Sequence, residues 1–340
     1  MKILSDKSIK KHLIGSLTKE KVGNEYLPVL QRALADYEAN PAVVPERTVL
    51  TSNYPGCDTT HLFMPCAAPD SVGTKVISGG SYNSKKGLGF QGFTGMLDPR
   101  SGELLGVVNA KSLTAFRTAL ASFSVVWKEF DVKTRPNIDH VTVFGTGPQA
   151  FWHVFLVLRV YQVQRVTVVS RSQESAQKLC DEIKEVDGVK TEALALSSGE
   201  VGDRVRNSEV IFGCVPSTEP TIKEEYLDTT SKKLIVLIGS YKPHMVELDP
   251  KFVEKSFRGE YKIIVDSKTH ALSEAGELVQ SGSSEENLVS LNDYLTEKAQ
   301  GKTTTKSGIT VAKIVGLSIM DIYMAQYMLD AVDAPSVDFD

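Results

Sequence analysis

The stretch VTVFGTGPQA, residues 141–150, carries the clearest structural signal in the chain. An apolar run that suits a buried strand leads into the pattern G-x-G-x-x-A and then into a segment compatible with a helix. In such a turn the glycines let the backbone approach the pyrophosphate of a dinucleotide, which sits on the helix N-terminus. The structural alternative is a tight turn that uses small residues only for packing. The residues expected to line the dinucleotide site are Gly145, Thr146, Gly147, Pro148 and Gln149.

Further strand-like runs continue this pattern along the chain, mostly with helix-compatible segments between them. They cover residues 141–144, 166–169, 191–196, 209–214, 233–238 and 261–266. This alternation predicts an α/β fold with a Rossmann-type, doubly wound parallel sheet. Ligands of such sheets bind outside the carboxyl ends of the strands. Two strand ends are therefore expected to border a nicotinamide ring: Cys214, Val215 and Pro216 at one, and Ile238, Gly239 and Ser240 at the other.

The end of the second strand favours NADP(H) over NAD(H). An NAD site usually places an acidic residue there to bind the ribose hydroxyls, whereas this chain has Ser170, Arg171 and Ser172. A guanidinium and two hydroxyls can bind a 2′-phosphate, and no carboxylate is present to repel it. The alternative interpretation of Arg171 is an exposed surface arginine.

The residues before the dinucleotide motif have a different pattern of apolar residues. Helical spacing of apolar residues predicts two amphipathic helices within 5–39, and short runs from 43 to 110 predict an antiparallel sheet with a hairpin turn at 98–102. A long helix is expected over 112–129, and another apolar-rich helix over 307–332. The residues before the dinucleotide motif are therefore predicted to form an α+β domain. A chain of 340 residues favours two domains over one.

Composition and charge exclude several classes of partner. Hydrophobic residues make up 41% and charged residues 24%, and the net charge is -4. Nothing here favours nucleic acid or an anionic membrane, so a small molecule is the expected partner. The four cysteines have no zinc-ligand spacing, and no metal site is predicted. No signal-peptide segment or membrane-spanning run was found, which predicts a cytoplasmic protein.

Several motifs together resemble the ornithine cyclodeaminase/mu-crystallin family over nearly the whole chain. They are GTKVISGG (73–80), GVVNAKSLTAFRTALAS (106–122), VFGTGPQA (143–150), IGSYKPHMVELD (238–249) and VAKIVGLSIMDIYMA (311–325). The resemblance implies a homodimeric enzyme with two domains. Residues 1–120 with 307–340 would form the substrate-binding and dimerisation domain, and residues 121–306 the Rossmann NAD(P)-binding domain.

The resemblance also implies roles for individual residues. Arg47, Lys75 and Arg117 match basic positions that face the substrate in the family, with Lys75 as the catalytic residue. Their chemistry suits this, because guanidinium groups bind carboxylates and a lysine can protonate an imine nitrogen. Gln91 and Thr118 match positions near the substrate and near the cofactor phosphates. Asp321 also falls on a family aspartate, and we expect it to serve helix packing or capping.

Two departures from the cyclodeaminase pattern decide the predicted activity. Cyclodeaminases of the family have an aspartate where this chain has Tyr241, and an acid at the strand end where it has Ser170 to Ser172. An unperturbed phenol, with a pKa of about 10, is a poor base near neutral pH. The chain therefore resembles the mu-crystallin and cyclic imine reductase branch, which implies NAD(P)H-dependent reduction of a ketimine such as pyrroline-2-carboxylate or piperideine-2-carboxylate. The alternatives are an ornithine cyclodeaminase or amino-acid dehydrogenase, and a cofactor-bound ligand-binding protein of mu-crystallin type.

Overall fold

The computed structural model describes residues 1–227 and 231–339. The chain forms two compact units, Met1–Arg117 with Leu317–Asp340, and Thr118–Gly316. Among the described residues, no helix is long and apolar enough to cross a membrane.

The helices and strands are numbered in chain order. The helices are α1 (Asp6–Ser16), α2 (Lys19–Lys21), α3 (Leu27–Ala39), α4 (Ser81–Lys85), α5 (Ala110–Glu129), α6 (Pro148–Val160), α7 (Gln173–Val186), α8 (Val201–Asn207), α9 (Pro250–Phe257), α10 (Lys268–Glu274), α11 (Gly276–Ser281), α12 (Leu291–Leu295) and α13 (Ser318–Ala331). The strands are β1 (Lys2–Leu4), β2 (Thr48–Thr51), β3 (Thr60–Ala67), β4 (Val72–Gly79), β5 (Gln91–Leu97), β6 (Leu104–Asn109), β7 (Asn137–Phe144), β8 (Gln162–Ser170), β9 (Lys190–Ala195), β10 (Val210–Gly213), β11 (Lys233–Leu237), β12 (Ile263–Val265), β13 (Leu288–Ser290) and β14 (Ile309–Lys313). One π-helical turn, Val22–Tyr26, joins α2 to α3.

The first unit is built on a six-stranded sheet in the order β1-β6-β5-β4-β3-β2. Strands β2 to β6 pair antiparallel, and β1 adds to β6 in parallel. The predicted hairpin around 98–102 is confirmed as the β5–β6 connection. Helix α13 packs against β3, β4 and β5, and α3 packs against α13. One face of the sheet is thereby covered by helices.

The second unit contains an eight-stranded sheet in the order β13-β12-β14-β11-β10-β7-β8-β9. Every pair of neighbouring strands is parallel. Strand β7 lies where the order reverses, with β8 on one side and β10 on the other, which is the ligand-binding position of a doubly wound sheet. The predicted α/β fold with a Rossmann-type parallel sheet is confirmed.

The predicted helix over 307–332 is wrong in its first part. Residues Ile309–Lys313 form β14, between β11 and β12, and the helix begins only at Ser318. All five residues of β14 are buried. A strand enclosed on both faces reads as a continuous apolar run, which periodicity cannot distinguish from a buried helix. Residues 307–316 consequently lie in the second unit.

Candidate active site

Lys75 lies in the middle of β4, directly opposite Met64 on β3 and Thr94 on β5. All three side chains are buried, and Lys75 itself is only 1% exposed. The alternation of side chains along a strand puts these three residues on the same face of the sheet. The amine of Lys75 is therefore enclosed within the first unit.

A carboxylate of α13 meets this amine. Asp321 Oδ1 accepts a hydrogen bond from Lys75 Nζ at 2.8 Å and another from Arg117 Nε at 3.0 Å. The Asp321 side chain is fully buried, and that of Arg117 is 6% exposed. We call these three residues the ion cluster. With every group ionised it carries an excess of one positive charge.

The ion cluster has polar atoms left over. Arg117 Nη1 and Asp321 Oδ2 are buried and have no hydrogen-bond partner among the described residues. Buried polar groups are almost always paired in folded proteins, so an unpaired guanidinium nitrogen is a candidate contact for a ligand atom. The excess positive charge suits an anion, and a carboxylate matches the fork of an arginine.

The surroundings shift the protonation of the lysine. Burial lowers the pKa of Lys75 from 10.5 to about 8, the Asp321 carboxylate opposes this shift, and the charge of Arg117 adds to it. The half-buried Arg47 makes a smaller contribution in the same direction. An amine with a pKa near 8 can give up and regain a proton close to neutral pH.

Of the other predicted substrate residues, Gln91 is not joined to the ion cluster. It lies at the start of β5 in register with Ser78, and its side chain is exposed. Its amide donates to the carbonyl oxygens of Leu88 and Phe90 at 2.5 and 3.2 Å. The side-chain amide of Gln91 therefore stabilises the loop that precedes β5.

Asp321 is the residue that sequence reasoning missed, because helix packing or capping was the expected role. The available signal was an acidic residue within the apolar run SIMDIYM, 318–324. A carboxylate enclosed in such a helix needs a cation partner. Which of the chain's cations supplied it could be decided only by the fold.

The glycine turn of the second unit has the geometry that the motif predicts. Gly145 has φ +116, a conformation that favours glycine, and a Cβ there would lie 2.8 Å from Cys214 O. Gly147 is the N-cap of α6 and is exposed, and Pro148 opens the helix. The first turn of α6 leaves backbone N–H groups that a phosphate can use. Thr146 and Gln149 are half-buried beside them.

The end of β8 carries the three residues predicted to bind the 2′-phosphate of the ribose. Ser170 is the last residue of the strand and Arg171 is exposed. Ser172 is the N-cap of α7, and its hydroxyl accepts from Ser175 N at 3.3 Å. The hydroxyl of Ser172 thus already has a structural function, which leaves Arg171 as the main candidate for a 2′-phosphate.

The ends of β10 and β11 lie close together. A Cβ on Gly239 would be 2.2 Å from Val215 O, so no other residue fits there without moving the backbone. Cys214, Val215 and Ile238 are half-buried, Pro216 is exposed, and Gly239 and Ser240 are buried. Small residues and bare backbone at these ends would allow a flat ring to approach.

Tyr241 follows directly and is 37% exposed. Burial of its hydroxyl raises the pKa of this phenol above 10.0. A higher pKa makes the phenol a still weaker candidate for a base near neutral pH than the sequence alone suggested.

Comparison with known proteins assigns the family. The family model described as "Ornithine cyclodeaminase/mu-crystallin family" matches residues 15–335. The chain belongs to this family. Two curated relatives are a Delta(1)-pyrroline-2-carboxylate reductase of Bacillus cereus, 27% identical over 90% of this chain and 91% of the relative, and the ketimine reductase mu-crystallin of Rattus norvegicus, 26% identical with the same coverage.

A solved structure shares the fold. The Delta(1)-pyrroline-2-carboxylate reductase of Thermococcus litoralis, in complex with NADH and L-proline, superposes with a TM-score of 0.79 at 23% identity, over 99% of this chain and 100% of that one. At this identity the likeness concerns the fold of the family.

Replacing Lys75 by methionine should change how stability depends on pH. The pKa of Lys75 falls from 10.5 to about 8 on folding, so between these values the unfolded state holds a proton that the folded state has released. Rising pH therefore favours the folded wild type, and its free energy of unfolding should gain about 1.4 kcal/mol per pH unit relative to Lys75→Met in this window. Urea denaturation at a series of pH values measures this.

The matched control is Lys85→Met, in the same unit, because the Lys85 side chain is exposed in the folded protein. Its unfolding curves should run parallel to those of the wild type. Parallel curves for Lys75→Met as well would contradict the burial of the amine.

Proposed function

We propose that the protein reduces the C=N bond of cyclic imino acids with NAD(P)H, with pyrroline-2-carboxylate or piperideine-2-carboxylate as the substrate type. The observation that carries this proposal is the ion cluster, a buried excess of positive charge with an unpaired guanidinium nitrogen. Its coarser part, an enzyme of the oxidoreductase class, is supported by relatives that are reductases by name.

The substrate carboxylate is the group that the arginines would hold. Arg117 has a buried Nη1 without a partner, and the charge of Arg47 is close enough to lower the pKa of Lys75. An arginine fork binds both oxygens of a carboxylate and so fixes the orientation of the ring. Asp321 already holds the Arg117 guanidinium through Nε, which leaves Nη1 for the carboxylate.

Lys75 would supply the proton of the reaction. Reduction of an imine adds a hydride to carbon and a proton to nitrogen, giving a secondary amine. A bound nicotinamide cofactor would supply the hydride, and Lys75, with a pKa of about 8, would protonate or hydrogen-bond the imine nitrogen. A protonated imine is more electrophilic at carbon, so donation by a lysine lowers the barrier to hydride transfer.

Reduction is favoured over cyclodeamination because the second unit offers no carboxylate at residue 241. Tyr241 stands there, and burial of its hydroxyl raises the pKa of this phenol. The relatives from Bacillus cereus and Rattus norvegicus are named as reductases of a pyrroline carboxylate and of ketimines. Both facts support an imine substrate, with a five- or six-membered ring that carries a carboxylate.

For the cofactor we propose NADP(H) over NAD(H), bound by the residues at the ends of β7, β8, β10 and β11. The basis is the exposed Arg171 after β8, with Ser170 and Ser172 beside it and no acidic residue among these three. Thr118, in α5, is proposed to contact a cofactor phosphate.

We also propose that the working form is a homodimer formed through the sheet face of the first unit that lies opposite α13. Phe63, Val76 and Phe93 are aligned across β3, β4 and β5, and we call them the open-face row. Phe63 is 39% and Phe93 is 40% exposed. Leu50, in register with His61 on the same face, is 54% exposed. Clustered exposed apolar residues of this kind are typical of protein interfaces.

Turnover should depend on Lys75. The wild type is expected to oxidise NADPH with pyrroline-2-carboxylate or piperideine-2-carboxylate, and Lys75→Met should lower kcat by roughly 10²- to 10⁴-fold, the usual contribution of a proton donor. Absorbance at the NADPH band measures the rate, and NADPH affinity should stay within about twofold.

Lys85→Met serves as the control and should retain full activity. Binding of NADPH without turnover of any cyclic imine would contradict the proposed reaction, and formation of proline from ornithine would favour the cyclodeaminase alternative. Full activity in Lys75→Met would remove the proposed role of this lysine.

The cofactor preference should respond to Arg171. Arg171→Asp places a carboxylate against the 2′-phosphate, so the KM for NADPH should rise about tenfold or more while the KM for NADH falls or stays constant. Arg165→Asp is the control, because it makes the same charge change at an exposed position within β8, five residues before its end. Equal effects of both variants, or none, would show that Arg171 does not read the phosphate.

A charge in the open-face row should separate the dimer. Phe63→Lys puts an ammonium into an apolar contact, and its desolvation should weaken association by more than about tenfold. Sedimentation velocity over a concentration series measures the change. Val279→Lys, at a 36% exposed position of α11, should leave the association constant unaltered. A monomeric wild type would contradict the proposal.

A further inference from the structure

One buried carboxylate joins the ends of two strands in the second unit. Glu247 is completely buried, and its Oε1 accepts a hydrogen bond from Val215 N at 2.8 Å, just beyond β10. Its Oε2 accepts from Gly239 N at 2.6 Å and from Ser240 N at 3.2 Å, just beyond β11. Each carboxylate oxygen therefore holds a different strand end.

Two positions beside this carboxylate have no space for a side chain. A Cβ on Gly213 would lie 2.8 Å from Glu247 Oε1, and a Cβ on Gly239 would lie 2.4 Å from Val215 N. The two strand ends can approach only because both positions are glycine. The carboxylate of Glu247 thus bridges the two strand ends beyond the point where the β10–β11 ladder stops.

Further buried hydrogen bonds surround the Glu247 carboxylate that bridges the two strand ends. Ser240 Oγ donates to the carboxylate of Glu277 at 2.6 Å and accepts from Lys313 Nζ at 2.7 Å. Glu277 Oε1 also accepts from Glu247 N at 2.6 Å. All four side chains are at most 1% exposed. The hydroxyl of Ser240 is therefore committed to the interior, as its backbone N–H is.

The charges of this network do not balance when every group is ionised, because two carboxylates face one ammonium. Burial raises the pKa of Glu247 to about 7, Lys313 opposes this shift, and Glu277 adds to it. Burial, and to a lesser degree the charge of Glu247, raises the pKa of the Cys214 thiol. Burial, Lys313 and Glu277 thus set the protonation of Glu247.

We propose that Glu247 is a positioning residue that fixes the spacing of Val215 and Gly239, and thereby the surface against which the nicotinamide ring of the dinucleotide lies. This inference rests on the proposed function, since it assumes that these strand ends border the ring. Glu247 itself is buried behind the backbone and touches neither the ring nor the substrate. Its effect on the reaction passes through the amides that it holds.

The hydrogen bonds from Glu247 to both strand ends should depend on the ionisation of its carboxyl group. A carboxylate accepts hydrogen bonds at both oxygens, whereas a protonated carboxyl turns one oxygen into a donor that opposes a backbone N–H. Protonation as the pH falls through about 7 therefore releases one strand end. Binding of the nicotinamide half should weaken at low pH while binding of the adenosine half does not.

Two ligands separate these halves: NADPH, and 2′-phospho-ADP-ribose, which lacks the nicotinamide. Glu247→Gln keeps one acceptor oxygen and replaces the other by an NH₂ donor. It should lower NADPH affinity about tenfold and leave the affinity for the fragment within about twofold. Isothermal titration calorimetry measures both affinities. The control is Glu209→Gln, just before β10 at its opposite end, where the carboxylate accepts from Asp139 N.

The wild type provides a second measurement that does not depend on a variant folding. Between about pH 8 and about pH 6, the ratio of NADPH affinity to fragment affinity should fall, and the shared 2′-phosphate cancels from this ratio. A ratio independent of pH, or a folded Glu247→Gln that changes both affinities equally or neither, would overturn the inference. Wild type that binds neither ligand would instead refute the NADP(H) preference that is part of the proposed function.

Discussion

The carboxylate of Asp321 makes the interior of the first unit possible. Two cations are buried beside it, and a cation moved out of water without a partner costs several kcal/mol. One oxygen of Asp321 serves both Lys75 and Arg117. Because this oxygen is shared, Arg117 is paired at Nε but not at Nη1, and the three residues carry a net positive charge. Such a group of residues favours binding of an anion. The same contact that stabilises the unit also leaves the positive charge on which the proposed substrate site rests.

The second unit uses a carboxylate in a different way. Glu247 binds backbone amides rather than side-chain cations, and so it bridges two strand ends just beyond β10 and β11. The glycines at 213 and 239 are the steric condition for this arrangement. Together with Gly145 they bring three neighbouring strand ends close to one another, at the edge where doubly wound sheets bind their ligands.

Much of the fold could be read from residue patterns, because the rules involved are local. A glycine turn between strand and helix, a turn cluster inside a hairpin and the alternation of strands with helices all depend on neighbours in sequence. The error at 307–332 shows where such rules end. Strand β14 is apolar throughout because neighbours cover both of its faces, and no local pattern distinguishes that environment from the interior of a helix.

The sequence by itself determined the class of the sheet, the position of the glycine turn and the absence of an acid at the end of β8, since each is a property of a short contiguous stretch. It also carried the motifs of the family. Only the tertiary structure decided that Asp321 pairs with Lys75 and Arg117, and that Glu247 bridges Val215 and Gly239. Asp321 is separated from Lys75 by 246 positions and Glu247 from Val215 by 32. Partners so far apart are chosen by how strands and helices pack, and burial then makes those pairings obligatory.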